Sequence, residues 1–166
     1  CKFNAQGELV QVEMLGPHYI YTWDECYAVW ENAMIMLDAI DMGPLKRYRE
    51  LIHRYHRFFG AEVWTLLYQA DTRARAERVQ RIQVDMIREQ KAAAAEGKSH
   101  PYDPKRPYNA PFDRLTPAYE TGIGFWHREF VEAATTVKIR FKSQSTFLGG
   151  ESPVAPSASI GPGQFS

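Results

Sequence analysis

The run 61–96, AEVWTLLYQADTRARAERVQRIQVDMIREQKAAAAE, contains neither Gly nor Pro, and Gly97 follows at once. Such a run predicts one long helix, and at 1.5 Å per residue about 36 residues span roughly 54 Å, more than a small domain is wide. Its two halves differ. In the first, Val63, Trp64, Leu66, Leu67, Tyr68 and Ala70 cover most of the circumference, the pattern of a helix packed on several sides. In the second, Val79, Ile82 and Met86 form a narrow apolar seam among Arg73, Arg75, Arg78, Arg81, Arg88 and Lys91. Left uncovered, that seam is a candidate oligomer contact; the alternative is that the strap or the last helix covers it.

Two helices precede the long one. Thr22-Trp23-Asp24-Glu25 has the form of a capping box, which starts a helix at Thr22. Cys26, Val29, Trp30, Ala33, Met36, Leu37 and Ile40 then fall at three-four spacing, which predicts an inward stripe. Asp24, Glu31 and Asp38 are assigned to its solvent side. Gly43-Pro44 breaks this helix and opens a second, in which Leu45, Ile52 and Phe59, Tyr48 and Tyr55, and Leu51 and Phe58 hold three positions of a heptad. Gly60 permits the turn into the long helix, and connections this short place the three helices antiparallel.

After Gly97 the composition changes. Pro101, Pro104, Pro107 and Pro111 predict an extended strap over 97–116, with Tyr102, Tyr108 and Phe112 to lay against the helices. A last helix is expected to reach about Phe141, starting either at Thr116-Pro117 or near Gly124. The Ser-, Pro- and Gly-rich stretch 142–166 is expected to be a disordered tail. Ahead of it all, residues 1–21 form an arm in which Glu8-Leu9-Val10-Gln11-Val12-Glu13-Met14 alternates as a short strand would. The expected fold is therefore all-α: a bundle of three to four antiparallel helices, one overlong, in a helical domain 22–141.

The chain carries 20 basic and 20 acidic side chains, but they are sorted: −6 over 1–42, +4 over 43–60, 0 over 61–96 and +2 over 97–166. Sorting of this kind either holds neighbouring helices together or joins the acidic face of one copy to the basic face of another. A dedicated nucleic-acid binder usually has a net basic balance. Even so, Arg73, Arg75, Arg78 and Arg81 crowd one helix and are candidate phosphate contacts, with Glu77 and Asp85 placed to neutralise part of that charge. Asp71, if buried, needs an Arg from another helix.

Signatures of chemistry are sparse. His53 and His56 are three apart, a spacing that can present two imidazoles to one metal, but both fall in the polar set of the heptad with no third ligand indicated. Cys26 is conceivable as a nucleophile paired with a distant His, yet its place on the apolar stripe predicts a buried thiol. The reading is a non-enzymatic protein without cofactor, metal or small-molecule substrate. Two cysteines without a CxxC predict a reducing, intracellular setting. No run approaches the length of a membrane span. The chain opens on Cys1 rather than Met, as a piece of a longer protein would.

Four segments together resemble the Gag-like regions of protist retrotransposon polyproteins, which lie upstream of a zinc knuckle. They are Glu13-Met14-Leu15-Gly16-Pro17; Trp23 with Cys26-Tyr27-Ala28-Val29-Trp30, Ala33 and Met36-Leu37; Tyr68-Gln69-Ala70-Asp71-Thr72-Arg73-Ala74-Arg75-Ala76-Glu77; and Pro107-Tyr108-Asn109. The resemblance implies a self-associating, non-enzymatic assembly domain that helps package element RNA. This chain departs from the pattern in having no cysteine after Cys26, so a knuckle would lie beyond Ser166. Assembly transfers to it more readily than RNA binding does.

Overall fold

The structure, a computed structural model, describes residues 2–3, 9–10, 16–116 and 124–148. Apart from one small ladder, the described elements are helical. β1 (Lys2–Phe3) pairs antiparallel with β2 (Leu9–Val10), Lys2 opposite Val10 and Phe3 opposite Leu9. Of the alternating run expected as a strand in the arm, Leu9–Val10 are in β2, and Glu8 and residues 11–14 lie outside the described residues. The partner of β2 is a segment whose pattern gave no sign of a strand.

α1 spans Ile20–Met36 and starts two residues before the capping box, which does not form: Tyr19 is the N-cap, without a side-chain bond. It also stops short of Ile40. Asp38, at φ 56°, takes the left-handed position usually given to Gly, and its N–H and that of Ala39 bond to the carbonyls of Ile35 and Met34. α2 spans Met42–Phe59, with Pro44 in its first turn. Gly60, at φ 98°, makes the turn that follows.

The long helix is real and unbroken. α3 (61–95) is built from a 3-10 turn Ala61–Val63, an α-helical stretch Trp64–Arg73, a π turn Ala74–Arg78 and an α-helical stretch Val79–Ala95. Gly97, at φ 68°, closes it, with the N–H groups of Gly97 and Lys98 bonded to the carbonyls of Ala94 and Ala93.

The strap turns back as expected, but it is not extended throughout. α4 (Asn109–Leu115) contains Pro111 at its third position, where a missing N–H costs nothing because first-turn N–H groups have no partner inside the helix. α4 packs along the second half of α3. Arg114 donates two hydrogen bonds to Glu89, at 3.0 and 2.8 Å, and Gln90 and Gln83 donate to the carbonyls of Tyr102 and Pro107. At the other end Asn109 and Asp41 exchange two hydrogen bonds, 2.7 and 2.6 Å, while Arg106 reaches Asp38 and Asp41.

This strap corrects the sequence reading of the seam. Val79, Ile82 and Met86 are 2, 3 and 3% exposed, in one core with Tyr102, Ala110, Phe112 and Leu115. They are interior side chains, and the seam that looked open in the linear pattern is roofed by the same chain. α5 consists of a π turn His127–Val131 and an α-helical stretch Glu132–Leu148, so it continues past Phe141 into the stretch expected to be tail. Residues 117–123 and 149–166 lie outside the described residues, and with them Pro117 of the expected Thr116-Pro117 start and most of the tail; Thr116 itself caps the end of α4. No described helix is long and apolar enough to cross a membrane.

Candidate functional site

The centre of the fold is polar. Asp71 is wholly buried, and its carboxylate accepts from Trp23 Nε1 at 2.8 Å, Tyr48 OH at 2.6 Å, Arg75 Nε at 2.9 Å and Arg75 Nη2 at 2.6 Å. Three helices meet at one carboxylate. The arginine that Asp71 requires comes from its own helix, one turn on, rather than from another as the sequence reading had it. Burial alone lowers the Arg75 pKa, but the Asp71 hydrogen bonds and charge outweigh it and hold the guanidinium firmly protonated. Burial, then the Asp71 charge, pushes the Tyr48 phenol well above its ordinary range, so it stays a donor. Tyr27 is raised in the same way, chiefly by burial, and donates to the Leu45 carbonyl.

Arg75 lies inside the π turn, where the Val79 N–H bonds to the Ala74 carbonyl. The wider turn takes one extra residue and re-aims the side chains on it, which is why π turns recur at functional sites. Four residues after Asp71 and bonded to its carboxylate, Arg75 is held inward and stacks over Trp30, 5.3 Å from the ring centroid. It is not available as an open phosphate contact.

Its neighbours stay on the surface. Arg73 pairs with Glu129 of the second π turn and Arg81 with Glu77 at 3.8 Å. Arg73, Arg78 and Arg81 meet Arg128, Glu77, Glu129 and Phe125 around a concavity of about 220 Å³. Arg128 was invisible to a reading confined to one helix.

The inward face of α1 is not the one its spacing suggested. Ile20, Trp23 and Tyr27 are buried, with Trp30 and Met34 packed partly against the core. Val29, Met36 and Leu37 are 72, 86 and 74% exposed, and Cys26 and Ala33 are exposed beside them. Of the expected inner stripe only Trp30 and Ile40 turn inward, and Cys26, Val29, Ala33, Met36 and Leu37 form an outer one. Both stripes have three-four spacing, and the one with the larger rings went inside, because aromatic side chains remove the most apolar surface from water.

The supposed solvent side of α1 faces α2. Asp24 pairs with Arg49 at 2.8 Å and with His53 at 2.9 Å, and Glu31 lies 3.8 Å from Arg49. Here the sorted charge joins helices of one chain. His53 and His56 are drawn apart in role: His53 bonds Asp24, and His56 sets its ring edge-on to Trp64. Burial, then the neighbouring His53, lowers the His56 pKa. Among the described residues no three His, Cys, Asp or Glu side chains are grouped to hold a metal.

A cavity of about 550 Å³ opens between the start of α1 and α3, lined by Gly16, Pro17, His18, Tyr19, Thr22, Trp23, Cys26, Tyr27, Tyr68 and Arg75. Gly16 lies flat on the Tyr68 ring, where any Cβ would fall within 1.9 Å of a ring carbon, and the Pro17 carbonyl accepts from Trp64 Nε1 at 2.7 Å. These two contacts fix the approach to α1 and hold the cavity wall. Comparison with protein-family models, curated proteins and solved structures finds no match to this chain.

Proposed function

We propose that this chain is a non-enzymatic helical scaffold that associates with a second copy of itself through the outer stripe of α1. The exposure of that stripe carries the reading. α1 carries an apolar stripe on its outer side as well as on its inner one, and a single chain buries only the inner one. Thr22, Cys26, Val29, Ala33 and Met36 alternate steps of four and three, the spacing of a two-helix seam, with small Cys26 and Ala33 leaving room for close approach.

A second copy fits better than an unrelated partner because the stripe holds no charged side chain. A two-fold contact sets the same patch against itself, so a patch without charge brings no like charges together. The resemblance to Gag-like regions supplies the context, an assembly domain of a retroelement polyprotein. Trp23, Asp71 and Arg75, all in segments that carry the resemblance, are partners in the buried network that orients α1. Val29→Glu and Met36→Glu test the proposal: each is expected to reduce self-association while leaving the far-ultraviolet circular dichroism unchanged.

One observation favours a second reading, a nucleic-acid-binding module. Arg73, Arg78, Arg81 and Arg128 come from two elements to one concave face, an arrangement that suits phosphate oxygens. Arg78→Gln with Arg128→Gln should then weaken RNA binding and flatten its salt dependence. Unchanged binding would exclude it.

A further inference from the structure

The concavity of about 220 Å³ beside α3 contains no residue of α1, so self-association through the outer stripe leaves its lining uninvolved. It forms where the π turn His127–Val131 packs beside α3, and Arg73, Arg78, Arg81 and Arg128 line it with Glu77 and Glu129. Both carboxylates are engaged: Glu129 holds Arg73, and Glu77 lies 3.8 Å from Arg81. Arg78 and Arg128 are left over. Their side chains make no hydrogen bond or ion pair among the described residues, although Arg78 is half-buried. Four guanidinium groups against two carboxylates leave an excess of two positive charges in one small hollow, on a chain whose formal charge is zero.

We propose that this hollow binds a terminal phosphate group, a phosphate monoester dianion taken up by Arg78 and Arg128. It rests on the nucleic-acid reading only for the source of that group, since a free phosphate monoester would be held in the same way. A monoester carries a charge of about −1.5 to −2 at neutral pH and three strong acceptor oxygens, whereas a phosphodiester within a chain carries a single charge. The dianion therefore matches the excess charge of the hollow. Guanidinium forks meet phosphate oxygens two at a time, and the ion pair with Glu129 already orients Arg73 at the rim. Pockets for drug-sized ligands measure about 300–1,000 Å³, so this smaller one suits a single end group. Glu77 stands against any anion, which gives the site a residue whose loss should improve it.

The test is titration of the full chain at low ionic strength and neutral pH with methyl phosphate and with dimethyl phosphate, read on the arginine Nε–H resonances. Methyl phosphate is expected to shift Arg78 and Arg128 and to bind severalfold more tightly than the diester. That advantage should shrink below about pH 6, where the monoester takes up its second proton. Arg78→Gln and Arg128→Gln should each weaken methyl phosphate severalfold, and Glu77→Gln should strengthen it. RNA oligonucleotides distinguish the source. Tighter binding of a 5′-phosphorylated strand than of its 5′-hydroxyl form supports a nucleic-acid end. Equal binding of the two strands, or none, supports a free monoester where methyl phosphate binds, and the absence of RNA binding ends the nucleic-acid reading alone. Equal affinity for methyl and dimethyl phosphate, or methyl phosphate binding that Arg78→Gln and Arg128→Gln leave unchanged, would overturn the site.

Discussion

Arg75 lies one turn beyond Asp71 on the same helix and closes a fork on its carboxylate, Nε to Oδ1 at 2.9 Å and Nη2 to Oδ2 at 2.6 Å. The pair fixes how α1, α2 and α3 meet, because Trp23 and Tyr48 complete the carboxylate from the other two helices. Asp71→Ala leaves the half-buried guanidinium and two buried donors without their acceptor. Breaking a buried pair on one side costs about 3–5 kcal/mol, and urea unfolding followed by circular dichroism is expected to read a loss of that size. A loss under about 1 kcal/mol, the range of exposed ion pairs, would mean that the network does not hold the helices.

Ile82 was legible as apolar but not as interior. Ile82→Ala is expected to cost about 2–5 kcal/mol of stability, independent of protein concentration, because the cavity forms inside one chain. Were Ile82 an intermolecular contact instead, the loss would depend on concentration.

Glu89 ties the returning strap to α3. Hydrogen bonds first from Arg114 and then from His100 hold its carboxyl at about 2, against an ordinary 4.5. A depressed acid contributes stability that is complete above the unfolded value and is lost as pH falls through the folded one. The Glu89 contribution should therefore be full above about pH 4.5 and disappear towards about pH 2. Thermal unfolding across that window should fall more steeply for the native chain than for Glu89→Gln, and parallel curves would contradict the clamp.

Cys26 sits in the proposed contact and is exposed in the single chain. In a Cys1→Ser background its labelling by a thiol reagent should be fast in dilute solution and slow at least severalfold as the protein is concentrated. A rate unaffected by concentration would place Cys26 outside any contact.

The long helix could be read from the absence of Gly and Pro over 61–96, and the all-helical class from the periodicity around it. The heptad of α2 was also correct in outline: Leu45, Tyr48, Leu51, Ile52 and Phe59 are buried, although Phe58 is 67% exposed. What failed depended on tertiary partners. Two stripes of equal spacing run along α1, and periodicity cannot say which meets the core; only the basic side of α2, waiting for Asp24 and Glu31, decides the rotation. The strap over Val79 and Met86 was foreseen as a possibility, but its short helix was hidden by Pro111, read as a breaker where it is an initiator. The cavity left no trace in the sequence because Gly16, Trp23, Tyr68 and Arg75 meet only after folding. Arg75 looked like its basic neighbours because nothing in the sequence showed that Asp71, four residues before it, is buried.

Sedimentation equilibrium of the native chain beside Met36→Glu, from low to high micromolar concentration, tests the scaffold proposal most directly. The native chain should rise from its monomer mass of 19.1 kDa towards twice that value while Met36→Glu stays at monomer mass. A native chain that remains at 19.1 kDa throughout, or a variant that associates equally well, would contradict it.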